Sequence, residues 1–348
     1  MPNTGAGERP ESDMANVLIT CGGRWVGLVL QMREAMRRVP ALRGGRLLIA
    51  DRAALNPAGC FADASLVVPE AADPLYVDHL VELCCRHAVR VVVPHLDIDL
   101  DRLAPHRERF AAAGATVVCP PPDLVDLCRD KRRFAAFAQE EGLPFPRAYA
   151  ANGLREEMFP LFAKRRRGSA SVGSGICRSL AEAQAALRHF PDLLFQEVIE
   201  GVEVSVDAYV SRAGECTVRV PRLRDRVVDG ESVRSHTIRS PTASALADRT
   251  IGALARLGLR GPLNLQLFAG DRPTLIEVNA RLGSASLLAN MATGGRLFTS
   301  VLGEACGLAS DGDPDDYQEG LHVYRFLGEV FHDGVQPLRI FPARGDGP

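Results

Sequence analysis

The segment PTLIEVNARLGSAS, residues 273–286, combines an apolar strand with polar side chains at every second position near its end. In an extended chain, side chains at i, i+2 and i+4 project from one face, so Glu277, Asn279 and Arg281 are predicted to point together. A carboxylate and an amide suit a divalent cation, and a guanidinium suits an anion. The pattern predicts a cation and an anion held side by side, although a solvated strand end would also show these residues.

A second apolar strand lies just before this segment. GPLNLQLF, residues 261–268, is joined to it by the turn AGDR, so the two strands are predicted to form a hairpin. The hairpin would bring Gln266 towards Glu277 and Asn279. Three oxygen-bearing side chains would then converge at one place.

The basic residues are almost all arginine, because only Lys131 and Lys164 of the 41 basic residues are lysine. A lysine ammonium is a compact point charge and an arginine guanidinium is a planar fork, and phosphate sites can demand the former. Lys164 ends a short apolar strand before a loop rich in glycine and serine, whose N–H groups suit phosphate oxygens. The two lysines are candidates for anion contact, and chance survival on a solvated surface is the alternative.

The N-terminal third alternates short apolar strands with amphipathic helices. Strands are predicted at 16–20, 45–51, 65–70 and 90–94. This alternation predicts a parallel α/β sheet with right-handed crossovers. The run Pro120-Pro121-Pro122 closes the unit, and one helix is predicted at 123–142 with Lys131 in its middle.

The turn after the first strand, CGGRWVG, matches a dinucleotide-binding motif only in part. With Gly22 and Gly27 as the outer glycines, Arg24 occupies the middle position, where a glycine lets the backbone approach a pyrophosphate. Asp51, at the end of the second strand, is the only other support for such a ligand. A Rossmann-like sheet that binds no dinucleotide is the preferred interpretation.

The composition argues against several classes of protein. The 41 basic and 43 acidic side chains give a net charge of -2, so the chain lacks the basic field that nucleic-acid binding needs. Nine cysteines without C-x-x-C spacing, with Cys84 and Cys85 adjacent, favour reduced thiols in a cytoplasmic protein. No run reaches the ~18 apolar residues of a membrane helix. We expect a cytoplasmic protein that binds neither nucleic acid nor membrane, with a disordered tail at 1–14.

In combination, these motifs resemble the ATP-grasp superfamily, and most of all its branch related to the carbamoyl-phosphate synthase large subunit. That branch includes single-chain carboxylate–amine ligases. The resemblance spans most of residues 15–332 and implies a mixed α/β and α+β fold, with a Rossmann-like pre-ATP-grasp domain followed by the two-part ATP-grasp fold. The implied divisions are a Rossmann-like N-terminal domain at 15–122, a lid subdomain at 123–195, a C-terminal subdomain at 196–332 and a tail at 333–348.

The resemblance assigns the nucleotide contacts residue by residue. The family's two phosphate-binding basic residues match Lys131 and Lys164. Residues expected around the rest of the ATP are Ser169 and Ser171 in the lid loop, Glu197 and Ile199 at the hinge whose backbone receives adenine, and Glu203 at the ribose.

The same resemblance gives the opening segment its role. Gln266, Glu277 and Asn279 match ligands of Mg²⁺ or Mn²⁺, and Arg281 matches the arginine that stabilises the transferring phosphoryl group. Two departures are visible: Gln266 stands where many members have an acid, and Ala280 stands where the nearest relatives often have proline. The number of tightly held metal ions therefore stays open.

The implied reaction activates a carboxylate with the γ-phosphoryl of ATP to give an acyl phosphate. An amine then attacks, which yields an amide, ADP and phosphate. The expected catalytic residues are Arg281 and Lys164, and the expected substrates are a small carboxylate and an amine of the amino-acid kind. The alternatives are an acid kinase related to carbamoyl-phosphate synthase, which phosphorylates a carboxylate or carbamate without ligation, and a non-catalytic ATP-binding module. Homodimerisation is left open.

Two further groups are candidates for substrate contact. The strand end VVVPHLDIDL carries His95 and Asp97, where this branch places residues that face the substrate, and a structural loop is the alternative. The segment VRSHTIRSP carries Arg234, His236 and Arg239, which would line an acid pocket or form a solvated basic hairpin.

Overall fold

The structure is a computed structural model that describes residues 15–168, 172–228, 230–270, 272–333 and 337–340. The chain divides into two compact units. The first comprises Met1–Val118, Val301–Leu308 and Leu327–Pro348, and the second comprises Cys119–Ser300 and Ala309–Phe326. Within the described ranges, no helix combines the length and hydropathy that crossing a membrane requires.

A parallel sheet forms the centre of the first unit, as the alternation of strands and helices predicts. Its strands are β1 (Asn16–Thr20), β2 (Leu47–Asp51), β3 (Ala64–Val67), β4 (Val89–Pro94) and β5 (Thr116–Val117). The helices are α1 (Val26–Arg38), α2 (Tyr76–Arg86), α3 (Asp97–Leu103) and α4 (Arg107–Ala112). The strand order is β3-β2-β1-β4-β5. β1 is buried along its whole length, as is typical of a parallel strand covered on both faces.

The second unit begins with two helices and a four-stranded antiparallel sheet. Its elements are α5 (Pro122–Arg129), α6 (Lys131–Glu140), β6 (Ala148–Tyr149), β7 (Leu161–Arg165), β8 (Gly175–Cys177), α7 (Leu180–His189) and β9 (Leu193–Glu197). The strand order is β6-β9-β7-β8. Ala163 of β7 and Phe195 of β9 pack with Ala183 of α7 in a small hydrophobic core.

A six-stranded antiparallel sheet forms the rest of this unit. The elements of this part are β10 (Val202–Val210), β11 (Cys216–Val228), β12 (Glu231–Thr237), α8 (Pro241–Arg256), β13 (Gly261–Ala269), β14 (Thr274–Asn279), α9 (Ser286–Ala292) and β15 (His322–Tyr324). The helix α10 (Arg296–Ala305) begins in this unit, and its residues from Val301 onward belong to the first unit. The strand order is β14-β13-β10-β11-β12-β15. Val204 and Leu265 point into a core shared with α5, α6 and α8. Alternation along the strands therefore places Glu203 and Gln266 on the opposite face.

The single helix predicted at 123–142 is wrong. Asp130 separates α5 from α6 because its backbone is extended, with φ -97° and ψ 100°. The Asp130 side chain accepts hydrogen bonds from the backbone N–H groups of Arg132 and Arg133, which makes it the N-cap of α6. Lys131 is consequently the first residue of a helix.

The predicted hairpin at 261–282 is confirmed over most of its length. β13 and β14 pair so that Gln266 lies opposite Glu277 and Asn264 lies opposite Asn279. The predicted alternation stops one step early, because β14 ends at Asn279 and the Arg281 N–H donates to the Asn279 carbonyl at 2.9 Å. Strand geometry alone therefore does not place Arg281 beside Glu277.

The end of the chain also differs from the prediction. Residues 333–348 are predicted to be a tail, yet β17 (Pro337–Ile340) lies within them and pairs antiparallel with β16 (Val330–His332), which lies just before them. Both segments contain β-branched residues, Val330 and Ile340, which favour strands. Residues 1–14 lie outside the described part of the chain.

Candidate functional site

A cavity of about 390 Å³ in the second unit collects most of the residues predicted to contact a nucleotide. The predicted residues that line it are Lys131, Lys164, Glu197, Ile199, Glu203, Gln266 and Glu277. They come from both sheets of the unit and from the start of α6. The resemblance to the ATP-grasp superfamily predicted these residues, which are widely separated along the chain.

Lys131 is held at the start of α6 with its ammonium in the cavity. Its backbone N–H donates to the Arg166 carbonyl at 3.1 Å. Its Nζ donates to the Gly168 carbonyl at 3.1 Å and lies 3.2 Å from Glu277 Oε1. The side chain is 9% exposed, so this ammonium is desolvated and its interaction with an anion would be strong.

Lys164 is the second buried ammonium of the cavity. It follows Ala163 on β7, and because Ala163 packs into the core under α7, Lys164 points the other way. Its Nζ donates to the Ile276 carbonyl at 3.3 Å. Burial lowers the pKa of Lys164 to about 8; the Glu277 carboxylate opposes this shift, and the Lys131 ammonium adds to it.

Asp130 fixes the position of Lys131 and was not singled out by the sequence. Besides capping α6, its Oδ2 accepts hydrogen bonds from Arg166 Nε at 2.9 Å and Nη2 at 2.6 Å. Burial would raise the pKa of Asp130, but the Arg166 guanidinium and the capped N–H groups outweigh it and hold that pKa below its usual value. The available signal was an aspartate placed directly before KRRF, a typical N-cap position.

Two oxygen-bearing side chains meet where β13 pairs with β14. Gln266 lies opposite Glu277 on one side and opposite Ser205 on the other. A carboxylate and an amide carbonyl are the oxygen ligands that hard cations such as Mg²⁺ prefer. The residues present therefore fit a divalent cation at this point of the cavity.

Opposite Asn279, on the neighbouring strand, lies a buried polar network that the sequence did not indicate. Asn264, the partner of Asn279 across the strands, donates from Nδ2 to Asp207 Oδ1 at 2.8 Å. Asp207 Oδ2 accepts from Arg222 Nε at 2.7 Å, and both side chains of this pair are almost fully buried. The network holds Asn264, which lies opposite Asn279 at the end of β14. Asn279 itself is not among the described residues that line the cavity.

The hinge after β9 supplies an apolar wall. The N–H of Glu197 donates to the Arg147 carbonyl at 3.0 Å, and Glu197 Oε1 accepts the Arg147 N–H at 2.9 Å. A nucleotide contact at Glu197 would therefore come from its carbonyl. Ile199 and Phe268 line the cavity nearby, and such surfaces suit a planar base.

Glu203, the predicted ribose ligand, is paired with an arginine that the sequence did not indicate. The Arg224 guanidinium forms an ion pair with the Glu203 carboxylate and also donates to the Gly230 carbonyl at 2.8 Å. Glu203 and Arg224 lie on the same face of adjacent strands, since Val204 pairs with Leu223. Both side chains line the cavity.

Arg281 lies in the turn after β14, half-buried, and its Nη1 donates to the Leu282 carbonyl at 3.0 Å. It is not among the described residues that line the cavity, so its contact with a phosphoryl group stays a prediction. Ser169 and Ser171 lie outside the described residues.

The predicted substrate residues of the first unit are buried at the carboxyl end of β4. The His95 ring packs edge-on against Trp25 with centroids 4.9 Å apart, and Asp97 begins α3. The neighbouring Asp99 carboxylate accepts hydrogen bonds from Tyr76 Oη at 2.5 Å and Thr20 Oγ1 at 3.0 Å. Burial raises the pKa of Asp99 in spite of these donors. Substrate contact of His95 and Asp97 stays a prediction.

Asp51 stabilises the glycine turn after β1. Its Oδ2 accepts the Gly23 N–H at 3.0 Å, and a Cβ at Gly23 would lie 2.6 Å from that oxygen. The strand-end acid that supported a dinucleotide therefore has a structural function within the turn.

The basic segment 234–239 lies elsewhere in the second unit. The Arg239 guanidinium donates to the Asp315 and Tyr317 carbonyls at 2.7 Å each. His236 Nδ1 lies 2.9 Å from Asp225 Oδ2, and Arg234 Nε lies 3.8 Å from the same oxygen. None of the three basic residues is among the described residues that line the cavity.

Comparison with known families gives two matches along the chain. Residues 17–118 match the family described as PylC-like, N-terminal domain. Residues 128–285 match the family described as ATP-grasp domain. The second match covers every predicted ligand of phosphate and metal.

Individual proteins that are similar to this chain share only a low sequence identity with it. The arginine-specific carbamoyl phosphate synthase large chain of Eremothecium gossypii is 25% identical over 205 residues, which is 52% of this chain and 18% of that protein. An L-amino acid ligase from Bacillus licheniformis is similar in fold, with a TM-score of 0.66, 19% identity and coverage of 85% of this chain and 75% of the other. The biotin carboxylase domain of 2-oxoglutarate carboxylase from Hydrogenobacter thermophilus, in complex with MgADP, ADP and bicarbonate, has a TM-score of 0.70 at 16% identity, covering 88% and 73%.

Proposed function

We propose that this chain, which carries a PylC-like N-terminal domain followed by an ATP-grasp domain, is an ATP-dependent carboxylate–amine ligase. The γ-phosphoryl of ATP would pass to a substrate carboxylate, and the amine would displace phosphate from the acyl phosphate to form an amide. This proposal rests on one observation: the chain's two lysines, Lys131 and Lys164, lie with Glu277 in one cavity. That arrangement suits a polyphosphate with its divalent cation.

The phosphates are assigned to the two ammonium groups. Lys131 and Lys164 are both buried, and burial strengthens the attraction between an ammonium and an anion. The apolar wall at Ile199 and Phe268 is assigned to adenine, and Glu203 to the ribose hydroxyls. The cavity volume of about 390 Å³ is within the range of small-molecule sites.

Gln266, Glu277 and Asn279 would hold Mg²⁺ or Mn²⁺. A bound divalent cation would neutralise charge on the phosphates. Glu277 brings the only carboxylate of this set, so its charge dominates the affinity for the metal. Asn264, fixed by Asp207, would orient Asn279 through the strand pair.

The reaction needs no side-chain nucleophile, because the carboxylate and the amine are themselves the reacting groups. The protein's contribution is positioning and charge neutralisation. Lys164 would stabilise phosphate oxygens, and Arg281 is assigned to the charge that develops as the phosphoryl group moves. Amino acids are proposed as substrates, in keeping with the fold shared with an L-amino acid ligase.

The test is to trap the activated acid. The chain is incubated with ATP, Mg²⁺ and each amino acid, singly and in pairs, and phosphate release identifies an active pair. With that pair known, hydroxylamine replaces the amine, and we expect a hydroxamate because this nucleophile intercepts an acyl phosphate. A proven pair that forms amide but no hydroxamate would contradict the acyl-phosphate route.

An acid kinase is a second candidate, favoured by the similarity to carbamoyl phosphate synthase large chains. Such an enzyme would phosphorylate a carboxylate or carbamate without joining it to an amine. ADP release at full rate with an acid or bicarbonate alone, with no amide when amines are added, would select this reaction. A non-catalytic ATP-binding module would instead bind ATP and release no ADP with any pair.

A further inference from the structure

A cluster of three metal-ligating side chains lies at the outer edge of the six-stranded sheet. Asp225 of β11, His236 of β12 and His322 of β15 each offer one ligand atom, and these atoms lie within 4.8 Å of one another. The His236 and His322 rings stack with centroids 4.8 Å apart, and His236 Nδ1 lies 2.9 Å from Asp225 Oδ2. Two imidazoles and a carboxylate are thus already adjacent.

The strand register explains how residues distant along the chain meet there. His236 lies directly opposite His322 on one side and opposite Leu223 on the other. The Asp225 side chain reaches the face of His236, because its Oδ2 lies 2.9 Å from His236 Nδ1. The pairing shifts between Leu223 and Arg226, which marks a bulge, and bulges re-aim side chains at sheet edges.

This cluster is separate from the nucleotide cavity. Leu223 packs against the hydrophobic core on one face of the sheet. Its neighbour Arg222 bonds Asp207, and Arg224 pairs with Glu203, on the face that bears the cavity. Since His236 shares the face of Leu223, the cluster lies on the side of the sheet opposite the cavity.

We propose that Asp225, His236 and His322 form a site for a divalent transition-metal ion of the Zn²⁺ class. Imidazole nitrogens bind zinc, nickel and copper, whereas Mg²⁺ prefers oxygen ligands, so the donor set distinguishes this site from the one around Glu277. Because the protein supplies three ligands, at least one coordination position of the metal ion is left for water. The proposal gives His236 a role different from the substrate contact suggested by the sequence.

The site's position indicates a structural role. β15 is a three-residue strand at the sheet edge, and a metal held from three adjacent strands would tie it to β12 and β11. Short edge strands gain little from their own pairing. We therefore expect bound metal to stabilise this edge and to leave the nucleotide cavity unchanged.

The neighbouring Arg234 supplies a directional test. Its Nε lies 3.8 Å from Asp225 Oδ2, so its guanidinium competes with a metal ion for that carboxylate. Replacing Arg234 with Gln removes the competing charge and keeps a similar side chain. The Arg234→Gln variant should bind metal more tightly than the wild type.

The experiment is equilibrium dialysis of the full chain against Zn²⁺, with Mg²⁺ in excess to fill the oxygen site. We expect one Zn²⁺ per chain, and we expect His322→Ala and Asp225→Asn each to weaken binding by more than about tenfold, the scale seen even for outer-shell losses. All three ligands are surface residues or half-exposed, so the far-ultraviolet circular dichroism of these variants should match the wild type.

Two controls make the result specific. The exposed His189 at the end of α7 is the matched histidine, so His189→Ala should retain the wild-type affinity, as should Glu277→Gln. Zn²⁺ binding that survives His322→Ala, or that disappears in Glu277→Gln, would overturn the proposal. Because the chain has nine cysteines, Co²⁺ serves as a second probe, and a thiolate charge-transfer band would also reject the His and Asp assignment.

Discussion

Lys131 Nζ lies 3.2 Å from Glu277 Oε1, so the lysine that we assign to phosphate and the carboxylate that we assign to Mg²⁺ form an ion pair. The two side chains are 9% and 22% exposed, so the pair is shielded from water. Binding of a metal–nucleotide complex would exchange these partners, with a phosphate for Lys131 and the cation for Glu277. Each charge would stay compensated throughout, which avoids the cost of an unpaired buried charge.

Replacement of Glu277 and replacement of Arg281 should change different kinetic properties. Glu277→Gln should raise the Mg²⁺ concentration needed for half-maximal rate, because a neutral amide ligates a hard cation less well than a carboxylate. Arg281→Met should lower turnover by about 10²- to 10³-fold with little change in ATP affinity, as expected for losing one electrostatic stabiliser. Rates measured at a series of Mg²⁺ concentrations for both variants test these assignments. An Arg281→Met variant that needs more Mg²⁺, together with a Glu277→Gln variant whose Mg²⁺ requirement is unchanged, would contradict them.

The affinity for ATP should depend on pH through Lys164. Its pKa is lowered to about 8, so the ammonium is charged below this pH and becomes a neutral amine above it. We expect the Kd for ATP to rise as the pH increases from about 7 to about 9, because a neutral amine attracts phosphate less. Calorimetric titration at fixed Mg²⁺ measures this.

The Lys164→Arg variant is the matched control, since its guanidinium stays charged over this range. Its Kd should no longer rise with pH. Lys164→Ala should weaken ATP binding at pH 7 by at least about tenfold, the scale of one charge-assisted contact. If the Kd of the wild type for ATP did not change between pH 7 and pH 9, Lys164 would not contact the nucleotide.

The sequence predicted contacts that follow from local pattern. The register of Gln266 opposite Glu277 follows from a short turn between two apolar strands, and β7 places Lys164 by simple alternation. The break at Asp130 was missed because an apolar periodicity continues across it, although the capping aspartate was visible. His322 was missed for another reason: it meets His236 only through the pairing of β15 with β12, and no local signal predicts which distant strand pairs.

Glu203 should distinguish nucleotides by their ribose. A carboxylate accepts hydrogen bonds from ribose hydroxyls, and one such bond to a charged group contributes about 1.5–3 kcal/mol. Glu203→Ala should therefore weaken ATP binding by about tenfold or more, and should change the affinity for 2′,3′-dideoxy-ATP much less. Competition binding with both nucleotides measures the difference. Equal losses for both would place the ribose elsewhere.

Replacement of Arg224 should affect the same recognition of ribose, because Arg224 pairs with the Glu203 carboxylate. The guanidinium orients Glu203 by an ion pair, so Arg224→Met should reduce the discrimination between the two nucleotides without abolishing ATP binding. An Arg224→Met variant that discriminates as the wild type does would show that the pair is dispensable for ribose recognition.

The Asp207–Arg222 pair should stabilise the second unit only while both partners are present. The side chains are 2% and 4% exposed, and Asn264 bonds the other oxygen of Asp207. Arg222→Met leaves a buried carboxylate without its guanidinium, a change that costs about 3–5 kcal/mol of unfolding free energy. The double variant Arg222→Met, Asp207→Leu removes both charges and should recover part of that loss, because an apolar pair of similar volume replaces a buried ion pair at little cost, whereas the Asn264 amide loses its acceptor. Urea unfolding of both variants measures the difference. Equal destabilisation by the single and the double variant would show that the side chains matter for their packing and that the charge pair does not brace the strand end at Asn279.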